Sequence, residues 1–233
     1  MSDPLNEVIT EAYGMRQAER EQALRILSKK KSRARLIELV DEAVGLAEME
    51  ISQISMFRTA CEAGCAWCCY QRVSASPAEV LRIADYLRRT CSPEELDDLR
   101  ARLTATDAHT RGLSTQDRLA LRVLCPLLVD GRCSIYHVRP LTCRGYTSSD
   151  VDACRRKVDE PETHVHIDAD PIRYFFCQGV LNGIDDGLLA NELEGGLVEL
   201  IAALSIALND DGALLRWLRG DRVFTGAGVA PVV

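Results

Sequence analysis

Cys61-Glu62-Ala63-Gly64-Cys65-Ala66-Trp67-Cys68-Cys69 puts four cysteines within nine residues. Free cysteines scatter through protein cores as small apolar residues, and that explanation does not fit so dense a run. Cys61 and Cys65 are four apart, so a continuing helix would set both thiols on one face, while Gly64 lets the chain bend before Cys65. Cys65 and Cys68 have the spacing of a knuckle that turns two sulfurs toward one ion. Cys68 and Cys69 point apart on an extended backbone, so either the chain bends there, or they serve different metals, or one is only core. Cys65-Ala66-Trp67-Cys68 also has the spacing of a redox dithiol, but the cysteines around it favour ligation over exchange.

Downstream lie Cys125, Cys133, Cys143 and Cys154, too widely separated for spacing alone to speak. Their settings are more informative: Cys125 precedes Pro126, Cys133 follows the turn signal Asp130-Gly131, and Cys143 sits in Arg139-Pro140-Leu141-Thr142-Cys143-Arg144. Turns and proline-fixed backbone can hold thiolates without a helical frame, and Arg139 and Arg144 could offset their charge or simply face solvent. Eight cysteines suffice for two four-ligand sites, or for one cluster with extra buried thiols. Cys177, between Phe176 and Gln178, reads as core or as a ninth ligand, and Cys91 reads as structural. Among the four histidines His137, lying between Cys133 and Cys143, is the best nitrogen-ligand candidate, but it reads first as a polar loop histidine. His164 and His166 lack a third partner, and His109 is expected to face solvent. No His-Glu-x-x-His helix and no glycine-rich phosphate loop occurs, which leaves zinc proteolysis and nucleotide chemistry unsupported.

Working outward from the cysteines, helical patterns flank them on both sides. Leu5, Ile9, Ala12, Ala23, Leu24 and Leu27 suit a helix over 5–28, and Leu36, Val40, Val44, Ala47, Ile51 and Ile54 form a second apolar stripe running toward Cys61. Met49 and Met56 are expected to pack along it rather than bind a soft metal. Ser76-Pro77-Ala78-Glu79 and Ser92-Pro93-Glu94-Glu95 are paired helix starts, each an N-cap serine, a first-turn proline and a glutamate three residues on. A further helix is expected over 114–124, loops over 140–170, a helix opening at Asp170-Pro171 and running through Phe176, and an apolar helix after Gly195-Gly196 to about Leu208. The expected fold is mostly α, a helical scaffold carrying an irregular cysteine-rich metal-binding insert. Its divisions are an N-terminal helical region (1–60), a cysteine-cluster metal-binding domain (61–180), a C-terminal helical region (181–219) and a loose tail (220–233).

Bulk composition narrows the partners. The 233 residues are 47% hydrophobic and 27% charged, ordinary for a soluble globular chain. A net charge of -7 and 5% aromatics argue against nucleic acid, which needs a concentrated positive field or stacking rings. The basic run Lys29-Lys30-Lys31 lies where a helix begins and reads as a solvated start. Met1-Ser2-Asp3-Pro4 lacks a signal peptide's features, and Leu197–Leu208 is too short to span a bilayer, so the expected location is the cytoplasm, with no membrane. A reducing compartment makes ten cysteines more telling as ligands than as disulfides.

The motif Cys61–Cys69, together with Cys125-Pro126-Leu127-Leu128 and the run from Gly131 through Cys143 to Arg144, resembles a bacterial cysteine-cluster family of the YkgJ type, described by zinc or iron chelation. Three residues separate Cys61 from Cys65 where the shortest family pattern has two. The resemblance implies a zinc or iron site, as ions or as an iron-sulfur cluster, on Cys61, Cys65, Cys68, Cys69, Cys125, Cys133 and Cys143, with Cys154 following. The cysteine framework is also similar to that of bacterial flagellin lysine methylases, without a signature for a methyl donor. Three functions fit: a metal-binding protein with a structural or metal-handling zinc or iron centre; an iron-sulfur protein that transfers electrons or modifies a protein or peptide; and a partner-binding protein whose metal staples a loop surface.

Overall fold

The computed structural model describes residues 4–62 and 64–228, apart from the side chains of residues 4, 5 and 29. The readings made on Met1-Ser2-Asp3, on the Leu5 side chain, on Ala63 and on residues 229–233 therefore lie outside the described residues. The chain is mostly helical, as its periodicity predicts, and the two antiparallel strand pairs contain two residues per strand.

Two long helices open the fold, α1 (Pro4–Lys29) and α2 (Arg33–Ile54). Ser32 caps α2 by accepting from the Arg35 N–H, so the lysine run occupies the link between the two helices. The buried face of α2 is Leu36, Leu39, Val40, Ala43, Ala47 and Ile51, the expected stripe gaining Leu39 and Ala43 and losing Ile54, which is exposed. Its helical pattern stops at Ile54, so Cys61 lies beyond any helix and does not share a helical face with Cys65. Met56 is 95% exposed, which removes it from the stripe.

A two-residue strand, β1 (Ser74–Ala75), leads into α3 (Pro77–Thr90), and α4 (Pro93–Thr110) follows. Both helices start with the expected reciprocal capping box, Ser76 with Glu79 and Ser92 with Glu95. The next helix, α5 (Thr115–Ala120), is shorter than its pattern suggested. Arg122 takes a left-handed φ of 51° just past its end, and Leu121 is exposed. Strands β2 (Leu128–Val129) and β3 (Arg132–Cys133) then pair across Asp130-Gly131, whose φ values of 50° and 73° are those of a tight hairpin turn.

The stretch 140–170 is more ordered than its polarity indicated. It contains α6 (Leu141–Gly145) and α7 (Val151–Asp159), the second capped by Asp150. Five- and nine-residue helices present too few turns for an apolar period to stand out. Helix α8 (Pro171–Ala190) starts at the expected Asp170-Pro171 but runs well past Phe176. Its Gly179, Gly183 and Gly187 lie against α1, where a Cβ on Gly179 would come within 2.3 Å of the Ala12 carbonyl oxygen. Three glycines spaced by four make the groove into which α1 packs, a close approach their absent side chains permit.

The chain closes with β4 (Val198–Glu199), α9 (Leu200–Asn209) and α10 (Ala213–Leu218). β4 pairs with β1, and Leu200 donates its N–H to the Val73 carbonyl, which fixes the start of α9 beside the cysteine region. Residues 220–228 return onto the core, where Val223, Phe224 and Ala227 are buried. Glu194 accepts from the N–H groups of Val223 and Phe224, and its carbonyl receives the Trp217 indole N–H. No helix among the described residues is long and apolar enough to cross a membrane.

Candidate metal centre

The first cysteine run folds against two supports. Gly64 takes φ +96°, the left-handed conformation that turns the chain before Cys65. Trp67–Tyr70 is a single 3₁₀ turn, so the backbone bends at the adjacent pair and both Cys68 and Cys69 face the same cavity. At the other end Ala60 donates to the Ser148 carbonyl at 2.8 Å, and the Ser148 N–H reaches the Cys61 sulfur at 3.5 Å. Cys154, in α7, lies near Ser148, whose side chain favours its charged form. Cys61 and Cys154 are thereby gathered at Ser148, beside the cavity rather than among the residues that line it.

The second run is tied to the first through backbone: Cys125 donates its N–H to the Cys69 carbonyl at 2.9 Å. The β2–β3 hairpin carries Cys133 back toward Cys125, and α6 presents Cys143. Glu79, wholly buried in α3, holds α6 in place. One carboxylate oxygen accepts from the Leu141 N–H at 2.8 Å while the other accepts from Ser76 at the same distance. The helix-capping residue of α3 is thus also the anchor for the helix that bears Cys143.

Six cysteines, Cys65, Cys68, Cys69, Cys125, Cys133 and Cys143, line one cavity of about 370 Å³. For three of them the backbone N–H two residues on favours the thiolate, the form that binds metal: Trp67 for Cys65, Leu127 for Cys125 and Ile135 for Cys133. Burial opposes it, raising Cys65, Cys133 and Cys143, and pushing Cys125 up to about 11. Cys68 is the exception. It falls to about 7 because the Cys69 thiol hydrogen-bonds to it and Arg139 lies nearby, while Cys69 rises for the same reason. The charges of Cys125, Cys68 and Cys133 all act on Cys143.

The two arginines flanking Cys143 have different positions. Arg139 lines the cavity and favours the charged forms of Cys68, Cys133 and Cys143. Arg144 instead pairs with Glu48 at 3.3 Å and donates to the carbonyls of Arg139 and His137, bracing the loop. His137 does not line the cavity, and His109, His164 and His166 are exposed. Cys177 is buried in the apolar core, and burial pushes its thiol up to about 12. Cys91 caps the end of α3 and packs at the edge of that core. Arg118 is a site residue that sequence patterning did not single out: it lines the cavity, 2% exposed, paired with Glu199 at 3.3 Å.

All ten cysteines are free thiols. Among the described residues no group of three or more His, Cys, Asp or Glu side chains is placed to hold a metal ion. The donor chemistry nevertheless fits zinc, iron or an iron-sulfur cluster, all of which take thiolate ligands. A cation would offset the burial, and the lesser mutual repulsion, that hold these thiols protonated.

Residues 60–164 match the family model CxxCxxCC, described as a "putative zinc- or iron-chelating domain". The match supports a metal-binding role and agrees with the resemblance carried by the cysteine framework. No curated protein and no solved structure gives a match to the chain.

Proposed function

We propose that this protein is a metal-handling protein that binds zinc or iron on thiolates drawn from Cys65, Cys68, Cys69, Cys125, Cys133 and Cys143. One observation carries the reading: Cys65, Cys68, Cys69, Cys125, Cys133 and Cys143, brought from separate segments, border one cavity. A structural zinc site is closed on all sides, whereas thiols bordering a cavity leave a bound metal within reach of an incoming ligand or acceptor. The same centre has a structural effect, because it would cross-link the 3₁₀ turn, the hairpin and α6. Cys61 and Cys154 belong to the proposal as a second thiol pair at Ser148. The cysteine-cluster region 61–180 is the functional unit, with helical support from 1–60 and 181–219, and the cytoplasm is the compartment that keeps its thiols reduced.

A second reading follows from the number of thiols. Six cysteines at one cavity are enough for the four thiolates of an iron-sulfur cluster, which would carry electrons or serve modification of a protein or peptide. Serine substitution tests the site itself. Cys68→Ser and Cys143→Ser are expected to lose most of the bound metal, and Cys91→Ser to retain it. Full metal content in both cavity variants would defeat the proposal.

A further inference from the structure

The thiol cavity is larger than a bare ion needs. A zinc ion sits about 2.3 Å from each thiolate sulfur, so a finished four-thiolate site encloses no free space around the metal. This cavity holds about 370 Å³, the size of a small-molecule pocket. Between the sulfurs part of its wall is apolar. Val73, Leu128, Tyr136 and Tyr146 line it, and each keeps some of its surface accessible. Two of the lining thiols adjoin, since Cys68 and Cys69 are consecutive on the Trp67–Tyr70 turn and their side chains interact directly. A bare ion would use the sulfurs and leave the apolar wall without a partner. A soft centre that already carries an organic group needs fewer thiols and brings an apolar body for that wall to cover. Trivalent arsenic bearing one aryl or alkyl group has two valences left, the number of thiols in the Cys68-Cys69 pair.

We propose that this cavity takes up a trivalent organoarsenical, its arsenic on the Cys68 and Cys69 sulfurs and its organic group against Val73, Leu128, Tyr136 and Tyr146. The inference rests on the reading of these thiols as a metal-handling site and names a class of cargo for it. In water such a compound is R–As(OH)2. Two As–O bonds break and two As–S bonds form, and each thiol proton leaves with a hydroxide as water. Arsenic stays trivalent, so the step needs no oxidant or reductant. The adduct carries no charge, which suits a site with an apolar wall.

The experiment titrates phenylarsine oxide and arsenite into protein purified without oxygen, each in competition with dithiothreitol, and reads the adduct by native mass spectrometry. Zinc and iron per chain are measured on the same sample before and after. One phenylarsenic group per chain is expected. The preference for phenylarsine oxide over arsenite is expected to exceed that of dithiothreitol itself roughly tenfold or more. Val73→Thr and Leu128→Gln, which change the wall and no thiol, are expected to shrink that preference while keeping the zinc and iron content. Val73→Thr alters little but the polarity of the side chain, so it decides if Leu128→Gln fails to fold. Cys69→Ser is expected to abolish the adduct and Cys91→Ser to retain it. The proposal is overturned if no phenylarsenic adduct forms, if the preference equals that of dithiothreitol, if Val73→Thr leaves it unchanged, or if Cys69→Ser keeps the adduct. Zinc or iron in the protein without that preference would remove this inference and leave the metal reading standing. A phenylarsenic adduct with that preference on a chain that purifies without zinc or iron would refute the zinc or iron reading and sustain this one.

Discussion

The N–H of Cys125 donates to the carbonyl of Cys69 at 2.9 Å, so the two cysteine runs are joined through backbone independently of any sulfur. The thiol set is therefore organised by main-chain geometry, and changes that disturb that geometry are expected to reach the site without touching a cysteine.

Gly131 provides the clearest case. Its φ of 73° closes the hairpin that carries Cys133, and a β-branched side chain is disfavoured there. Gly131→Val is expected to lower stability by about 1–2 kcal/mol in chemical denaturation and to reduce metal per folded chain. Unchanged metal content would show that the hairpin turn does not position Cys133.

Glu79 links the α3 start to the α6 start through Ser76 and Leu141. Glu79→Ala would leave two buried N–H donors without partners, at about 1–3 kcal/mol each. The variant is expected to unfold at lower denaturant and to lose metal, since α6 carries Cys143. A variant that loses stability but binds metal normally would separate the helix anchor from the site.

Glu19 makes a pH prediction of opposite sign to the usual acid denaturation. It lies at 0% exposure with neither carboxylate oxygen hydrogen-bonded, and burial together with Glu42 pushes it up to about 8, against a small opposing effect from Arg25. Between the ordinary carboxylate range and about pH 8 the folded chain holds a proton that the unfolded chain has released, so stability falls as pH rises through this window. At roughly 1.4 kcal/mol per pH unit, the cost is about 3 kcal/mol at pH 7. Glu19→Gln is expected to be more stable than the parent at pH 8 and to differ little at pH 4.5, as measured by urea unfolding. An equal difference at both pH values would contradict the assignment.

The helix groove offers a control outside the site. A Cβ on Gly187 would stand 2.3 Å from the Ala23 side chain, so Gly187→Ala must push α1 from α8. A loss of about 1–3 kcal/mol is expected, with metal content per folded chain preserved.

What could be read in the sequence follows the physics of each signal. The capping boxes at Ser76 and Ser92, the Asp130-Gly131 hairpin and the α2 stripe depend on neighbouring residues, and each appears where its local pattern predicts. The bend at Cys68-Cys69 had three readings because one 3₁₀ turn leaves no periodic trace. Helices α6 and α7 escaped detection for the same reason, being too short for a period and capped within a polar stretch. Arg118 and the second role of Glu79 depend on partners 81 and 62 residues away, a relationship that no local pattern contains. The length of α8 was not legible because Gly179, Gly183 and Gly187 have low helix propensity, and their value is as its contact face with α1.

Zinc, iron and acid-labile sulfide per chain, measured together on protein purified without oxygen from unsupplemented cells, test the central claim most directly. The account predicts at least one zinc or iron per folded chain, with sulfide matching iron if the centre is a cluster. Protein that holds neither metal and keeps its fold in strong chelator would contradict it.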